Sequence, residues 1–212
     1  MNKQAGFTLI ELAIVLVIIG LLLGGVLRGQ ELINAAKAKS IISDYKNAQI
    51  FIYGYQDKFK ALPGDDGRVI SHITGATAAT SGTQGNGVIE GAWNATDVTV
   101  ESVKFWEHVR MAGFATGPTS VTGAADLPTN AENGRIGVQS VVGFTTITNM
   151  TGTYVMCSDR IPGSLAKQVD VNLDDGETST GSVRAVVSGT PGAGVLASAV
   201  VDGNLYTVCM TF

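Results

Sequence analysis

A run of 21 residues near the start of the chain, Phe7 to Leu27, is almost entirely apolar, with Thr8 and Glu11 as its polar members. At about 1.5 Å per residue, an α-helix of this length extends roughly 30 Å and can cross the hydrocarbon core of a bilayer. The run helps to explain why 45% of the residues are hydrophobic and only 15% are charged. We therefore predict a membrane-spanning helix followed by one domain of ordinary size.

A cleaved secretory signal is the competing interpretation of this run. The apolar core of such a signal is usually about 7–15 residues long, and the small residues of the cleavage site follow it. Here the small residue, Gly6, comes before the run, after a short polar leader that contains Lys3. The order of the parts is reversed, which argues against a standard secretory signal.

Glu11 is the exceptional residue of the apolar run. A carboxylate inside a membrane-spanning helix is costly unless it reaches the interface or finds a partner, so it is a candidate functional residue. The alternative is a glutamate close enough to the membrane surface to remain hydrated. The residue pattern alone leaves both interpretations open.

The sequence Gly6-Phe7-Thr8-Leu9-Ile10-Glu11, followed by the apolar run, closely resembles the processing site of type IV prepilins and type II secretion pseudopilins. The resemblance is strong over residues 1–30, and its helical pattern extends to about residue 60. The chain departs from many members of the family at Arg28, where they carry a helix-bending proline.

This resemblance implies a specific maturation and a set of partners. A membrane prepilin peptidase would cleave after Gly6 and methylate the new amine of Phe7, and Glu11 would pair with the N-terminal amine of a neighbouring subunit. The precursor would reside in the bacterial inner membrane, in contact with lipid and an assembly platform. The mature chain would join identical or related pilin subunits in an extracellular filament.

Helical periodicity continues beyond the membrane segment, because apolar residues between Ala38 and Phe59 recur at steps of three and four. Leu62-Pro63-Gly64 predicts the end of this helix. We therefore expect a leader over 1–6, a transmembrane and filament-core helix over 7–27, its amphipathic continuation over 28–62 and a globular head over 63–212.

Within the head, the sequence predicts an α+β fold in which the long, protruding N-terminal helix packs on an antiparallel sheet of about four strands. Short helices are expected at 100–112 and 165–173. Enrichment in Val, Ile, Thr and Tyr predicts strands, and these segments are 136–148, 153–157, 183–188, 195–201 and 205–211.

Composition and motifs indicate a chain without enzymatic chemistry. Residues 61–212 carry seven Lys and Arg against fourteen Asp and Glu, and this acidic balance argues against nucleic-acid binding. His72 and His108 are far apart, and no phosphate-binding loop, nucleophile elbow or zinc-ligand spacing occurs. We therefore predict no enzyme activity, no cofactor and no metal ligands.

Residues 170–176, Asp-Val-Asn-Leu-Asp-Asp-Gly, have the alternating acids of a calcium loop without its full pattern. An EF-hand requires Gly at the sixth position and Glu at the twelfth, where this chain has Asp175 and Gly181. A solvated turn is the default interpretation, and an irregular calcium site is the alternative. Asp65 and Asp66 are a weaker case of the same kind.

Gly20 and Gly24 form a small-x-x-x-small pattern, which permits close packing between helices in a filament core. Cys157 and Cys209 are the two cysteines of the chain. In an exported head they are expected to form a disulfide, as in many type IV pilins near the C-terminus; two buried free thiols are the alternative.

The resemblance thus favours a structural subunit of a type IV pilus. Two alternatives remain open at this point. One is a minor pilin whose head is an adhesin or another ligand-binding module, and the other is a pseudopilin of a type II secretion system.

Overall fold

The structure is a computed structural model that describes residues 9–212. By internal packing the chain divides into two units, Met1–Lys37 and Ala38–Phe212. The leader residue Gly6 and the adjoining Phe7 lie outside the described residues.

The architecture is α+β, as the sequence predicts. A 51-residue helix, α1 (Leu9–Phe59), comes first along the chain. Three shorter helices and four strands follow, and their bounds are α2 (Val69–His72), α3 (Glu101–Met111), α4 (Gly163–Leu173), β1 (Ile136–Ser140), β2 (Tyr154–Pro162), β3 (Val183–Val187) and β4 (Leu205–Thr211).

The four strands form one antiparallel sheet in the order β1-β2-β4-β3. The last strand of the chain therefore lies inside the sheet, between β2 and β3. This placement gives the C-terminal segment hydrogen-bonded neighbours on both sides, which protects a chain end that would otherwise fray.

Three of the predicted strands are wrong in extent or in kind. The strand predicted over 153–157 is too short, because β2 continues to Pro162. The strand predicted over 136–148 ends at Ser140, and a turn with positive φ at Gly143 follows. Residues 195–201 form no strand. The backbone N–H of Val195 donates one hydrogen bond to the carbonyl of Ala185, and a 3-10 turn then occupies Ala197–Ala199. Valine-rich composition does not distinguish a strand from an apolar loop packed on a core.

The second half of α1 supplies one side of the head's core. Its buried residues recur every three or four positions, as the periodicity predicts, and they are Ala38, Ile41, Tyr45, Ala48, Ile52 and Tyr55. The buried hydroxyl of Tyr45 donates a hydrogen bond of 2.7 Å to the carbonyl of Val208 in β4. This bond satisfies the polar end of an otherwise apolar contact.

The two faces of the sheet are covered by different parts of the chain. Val138, Met156 and Val208 belong to the main core together with α1 and α3. On the opposite face Val155, Val186 and the two cysteines pack against three residues from loops, Trp93, Ile147 and Met150. The sheet is therefore buried on both faces, although helices cover only one of them.

Helix α3 is buried on all sides, which its sequence does not indicate. Phe105, Trp106 and Val109 lie in the core, and Gly113 follows the helix with positive φ. The charged residues of α3 are also less than a tenth exposed, and these are Glu101, Lys104, Glu107, His108 and Arg110. Each of them must be neutral, paired or hydrogen-bonded to be tolerated there.

A disulfide joins Cys157 in β2 to Cys209 in β4, at directly opposed positions of the two strands. The enclosed segment includes α4 and β3. The bridge thus closes the C-terminal part of the head into a loop.

Replacing both cysteines by alanine should lower the stability of the head by up to roughly 4 kcal/mol, the chain-entropy value for a loop of this length. Urea unfolding of the mature chain in detergent would measure the difference. Wild-type chain treated with a reductant is the matched control and should lose a similar amount. Rapid alkylation of both thiols in unfolded, unreduced chain would contradict the bridge.

Candidate functional site

The first part of α1 presents an apolar surface that the other described residues, up to Phe212, leave exposed. Leu9, Leu16, Leu21 and Leu27 are each more than 60% exposed, and the apolar residues between them are exposed as well. Among the described residues, α1 is the helix long and apolar enough to cross a membrane. A surface of this kind requires lipid or other apolar helices around it.

Gly20 and Gly24 lie one turn apart within this apolar stretch of α1. A Cβ atom at either glycine would meet nothing within 4 Å outside its own helix. The absence of side chains at these positions lets a second helix approach the backbone closely. Glycine also lowers the stability of an isolated helix by up to about 1 kcal/mol relative to alanine.

Glu11 lies in the first turn of α1, flanked by the exposed side chains of Ile10 and Leu12. A carboxylate is favoured in the first turn, where the helix dipole is positive. The placement therefore agrees with helix formation and puts an acidic group close to the predicted mature N-terminus.

The head contains an open cleft of about 780 Å³ between the end of α1 and the loops that follow. Its lining is about equally polar and apolar, and the polar side chains include Gln56, Lys60, Asp65, Asp66, Arg68 and Tyr154. The volume falls in the range of sites for small ligands, and a mixed lining with charged side chains fits a ligand that carries polar groups.

Asp65 and Asp66, which border this cleft, are both almost fully buried. The carboxylate of Asp65 accepts backbone N–H bonds from Gly85, Asn86 and Gly87, at 2.5, 3.2 and 2.8 Å. Burial raises the pKa of Asp65, and these three hydrogen bonds oppose the rise. Asp65 therefore organises the loop after residue 81, and its oxygens are already used.

Asp66 connects the end of α1 to α2. Its Oδ2 accepts a bond of 2.8 Å from the Tyr55 hydroxyl and lies 2.6 Å from Nδ1 of His72. The ring of His72 stacks on Phe59, with centroids 5.4 Å apart. The second histidine, His108, stacks against Tyr55, with centroids 6.2 Å apart.

His108 is buried and neutral. Burial lowers the pKa of its imidazole. Its Nδ1 accepts from the backbone N–H of Gly64 at 2.9 Å, so its Nε2 carries the proton and donates to the Thr77 carbonyl, also at 2.9 Å. The two histidines, which are far apart in the sequence, thus stack on neighbouring rings of α1, and each is hydrogen-bonded to a residue of a loop.

Glu101, at the start of α3, is a fully buried carboxylate with an incomplete set of partners. Its Oε2 accepts a bond of 2.8 Å from the backbone N–H of Glu90, while its Oε1 has no hydrogen-bond partner. Burial raises the pKa of Glu101 to about 7, and the nearby carboxylates of Asp65 and Glu90 add to the rise. The group is therefore partly protonated near neutral pH.

The comparison with protein families concerns the N-terminal segment. Residues 1–27 match the family model of the prokaryotic N-terminal methylation motif. The chain carries the signature of type IV pilins and pseudopilins. A search among curated proteins and another among solved structures found no match.

The pilin signature covers Gly6, Phe7, Glu11, Gly20 and Gly24, which are the residues predicted to act in processing and assembly. The structure describes the last three, and all of them belong to α1. It brings Cys157 and Cys209 together in the head. Taken with the fold, the pilin motif points to a structural protein.

The buried carboxylates of the head are what sequence analysis missed. Glu101 lies in a helix with a mixed apolar and charged sequence, and such a pattern does not show which of its charged residues are buried. Within residues 9–212, no three His, Cys, Asp or Glu side chains converge on one point as in a zinc site. The sequence feature that could have indicated these buried groups is the glycine-rich loop before α3, which packs over that helix.

We predict that Glu101→Gln raises the stability of the pilin-like head at pH 8. The pKa of Glu101 is about 7 in the folded chain, above the ordinary value of 4.5, so the protonated carboxyl favours the folded state. The stability that this group contributes is therefore complete below pH 4.5 and is lost as the pH rises through 7. At pH 8 the variant should gain on the order of 1 kcal/mol, or about 2–4 °C in Tm.

Thermal unfolding of the mature chain in detergent, followed between acid and mildly alkaline pH, would measure this difference. The gain should shrink towards zero at acid pH, where the wild-type carboxyl is protonated. Asp57→Asn, which removes an exposed charge that pairs with Lys60, is the matched control and should have little effect. A variant less stable than wild type at pH 8 would show that the ionised carboxylate is needed.

Proposed function

We propose that this chain is a structural subunit of a type IV pilus. The observation that carries the proposal is the methylation motif at residues 1–27, continuous with a helix whose apolar residues are exposed. Such a helix is covered by lipid while the subunit waits in the membrane. It is covered by the helices of other subunits once it enters a filament.

The motif supports a specific maturation path. Prepilin peptidase cleaves after Gly6, removes the leader that contains Lys3, and methylates the amine of Phe7. The precursor resides in the bacterial inner membrane with its head outside the cytoplasm. The assembly platform then transfers the mature subunit from the membrane into an extracellular filament.

Glu11 acts at the transfer step. In an apolar filament core the effective dielectric constant is low, so a carboxylate and an amine of neighbouring subunits attract each other strongly. The N-terminal amine of one subunit lies close in sequence to Glu11 of its own chain, so a small axial offset between subunits brings it to the Glu11 of the next. This pairing offsets the cost of placing both charges in an apolar environment.

Glycines in α1 support the same step. Gly20 and Gly24 present bare backbone on the exposed apolar stretch, which allows neighbouring helices to approach. The helix bundle of a filament is thereby able to pack more closely than leucine-covered helices would permit.

Within the class of pilins and pseudopilins, the C-terminal disulfide favours the pilus. The bridge between β2 and β4 closes the segment that contains α4 and β3, as the C-terminal disulfides of many type IV pilins do. The open cleft beside Asp65 and Arg68 supports a second candidate, a minor pilin whose head binds a ligand. We propose no enzymatic activity and no binding of nucleic acid.

The mature chain should begin at Phe7 and carry a methylated amine. Mass spectrometry of the N-terminal peptide from membrane and filament fractions would identify both changes. Gly6→Val should leave the precursor uncut, because a β-branched side chain crowds the scissile bond, whereas Ala5→Val is a control that should still be processed. Intact Met1 in assembled material would contradict the maturation path.

The second test concerns the filament itself. Antibodies against the head should label sheared surface filaments along their length in immunogold electron microscopy. Glu11→Leu should insert into the membrane and keep the Tm of the head, yet reduce filament yield by tenfold or more, because the charge pair is lost. Glu31→Leu, which removes an exposed acid farther along α1, is the matched control.

The labelling pattern distinguishes the candidates. Sparse or tip-confined labelling would indicate the minor pilin, and an absence of surface filaments would indicate a pseudopilus. Filaments of normal yield from the Glu11→Leu variant would disprove the pairing of Glu11 with the amine.

A further inference from the structure

The carboxyl group of Glu101 is buried beneath a short glycine-rich segment, residues 82–88, which we call the cover loop. Glu101 begins α3 and is fully buried. Its Oε2 accepts a hydrogen bond from the backbone N–H of Glu90, and its Oε1 has no hydrogen-bond partner. A buried carboxyl group in this arrangement is tolerated when it is protonated and is costly when it is ionised.

The cover loop and the side chain of Glu90 lie against the oxygen that has no partner. Gly82, the first residue of the loop, has a positive φ of 101°. A Cβ atom at Gly82 would lie 2.5 Å from Oε2 of Glu90 and 3.1 Å from Oε1 of Glu101. Both carboxyl groups therefore approach the same stretch of loop backbone and lie close to each other.

The charges that face Glu101 from the neighbouring segments are negative. Asp65, from the loop after α1, and Glu90, which follows the cover loop, both disfavour the ionised form of Glu101. On its own helix, Lys104 donates to Glu107 instead. Among residues 9–212, no lysine or arginine forms an ion pair with Glu101, Asp65 or Glu90. Ionisation of Glu101 therefore adds a like charge that no cation offsets.

The cover loop is able to move while the rest of the head remains folded. Before the loop, Ser81 donates its backbone N–H to the carbonyl of Thr99 at 3.0 Å. After the loop, the main chain of Ile89 exchanges hydrogen bonds of 2.8 and 3.0 Å with Ser140 of β1. Between these fixed points no residue of the cover loop is buried. A segment with exposed residues opens locally at a lower free energy than global unfolding requires.

Carboxylates make most of the contacts that hold the cover loop closed. Asp65 accepts hydrogen bonds from the backbone N–H groups of residues 85–87, and Glu90 accepts one of 2.5 Å from Thr83. These amide protons are protected from exchange with solvent only while the loop is closed. Their exchange rates therefore measure how often the loop opens.

We propose that the cover loop is a pH-sensitive gate, closed over Glu101 while that residue is neutral and opened when it is ionised. Movement of the loop lets water reach Oε1 of Glu101, while the hydrogen bond from Glu90 to Oε2 remains in place. Gln84, Gly85 and Gly87 also line the open cleft of the head, so opening removes one wall of that cleft. The gate belongs to the head and does not depend on assembly into a filament.

The direction of the response follows from the state that binds the proton more tightly. Under the closed loop the pKa of Glu101 is about 7, raised mainly by burial, and it returns towards the ordinary value of 4.5 when water enters. The open state therefore loses its proton first as the pH rises. Its population grows by up to about tenfold per pH unit between pH 4.5 and 7 and is constant above that range.

Hydrogen exchange of the mature chain in detergent, followed by mass spectrometry, would measure this population. After correction for the intrinsic pH dependence of exchange, the peptide that covers residues 82–88 should exchange about tenfold or more faster at pH 8 than at pH 5. Peptides from β2 and β4 should remain protected at both pH values, since opening is local.

Variants identify the group that titrates. Glu101→Gln keeps the shape of the side chain and removes its charge, so its corrected exchange over 82–88 should differ by less than about twofold between the two pH values. Glu90→Gln removes a facing charge and should reduce the wild-type ratio. Asp44→Asn, which changes a carboxyl group of α1 whose pKa burial raises to about 6, is the matched control and should keep the full ratio.

The outcomes decide the proposal even if Glu101→Gln fails to fold, because the wild-type ratio and its reduction in Glu90→Gln test the same gate. Equal corrected exchange of residues 82–88 at pH 5 and pH 8 in the wild-type chain overturns the proposal. A full ratio that persists in Glu101→Gln overturns it as well, since another group would then control the loop.

Discussion

The contact on which the head depends is the packing of α1, between Ala38 and Tyr55, against the sheet. Its buried residues lie on one stripe, and the Tyr45 hydroxyl reaches the main chain of β4. Because β4 is a central strand, this contact fixes the middle of the sheet. The disulfide between β2 and β4 fixes the same strand from the opposite face.

The same helix has two kinds of surface, and each kind follows from composition. From Leu9 to Leu27 nearly every side chain is apolar, so no polar face is available for water. From Ala38 onward polar residues alternate with the buried stripe, so the helix packs on a core with one face and is hydrated on the other. The proposed function, in which the subunit leaves a membrane and enters a filament, requires both surfaces in one element.

The head, by contrast, is rich in buried charge. Helix α3 carries five charged or titratable residues that are almost inaccessible. Lys104 and Glu107 pair at 2.8 Å and share Thr77 as a partner, and Asp65 is held by three backbone N–H groups. Glu101 keeps one oxygen without a hydrogen-bond partner. Long loops packed over α3 and α4 bury these groups. The backbone N–H groups of the loops donate most of the hydrogen bonds that offset the cost of burial.

The sequence by itself determined a helix long and apolar enough to cross a membrane, the pilin signature, the amphipathic continuation of α1, the α+β class and the approximate places of α3, α4, β2, β3 and β4. These features depend on local periodicity or on contiguous motifs, which a single sequence displays directly. Only the tertiary structure decided that 195–201 is a loop, that β4 lies inside the sheet, and that Glu101 and Asp170 are buried. Those outcomes depend on which distant segments cover a residue, and a carboxylate looks the same in the sequence whether water or a packed loop surrounds it.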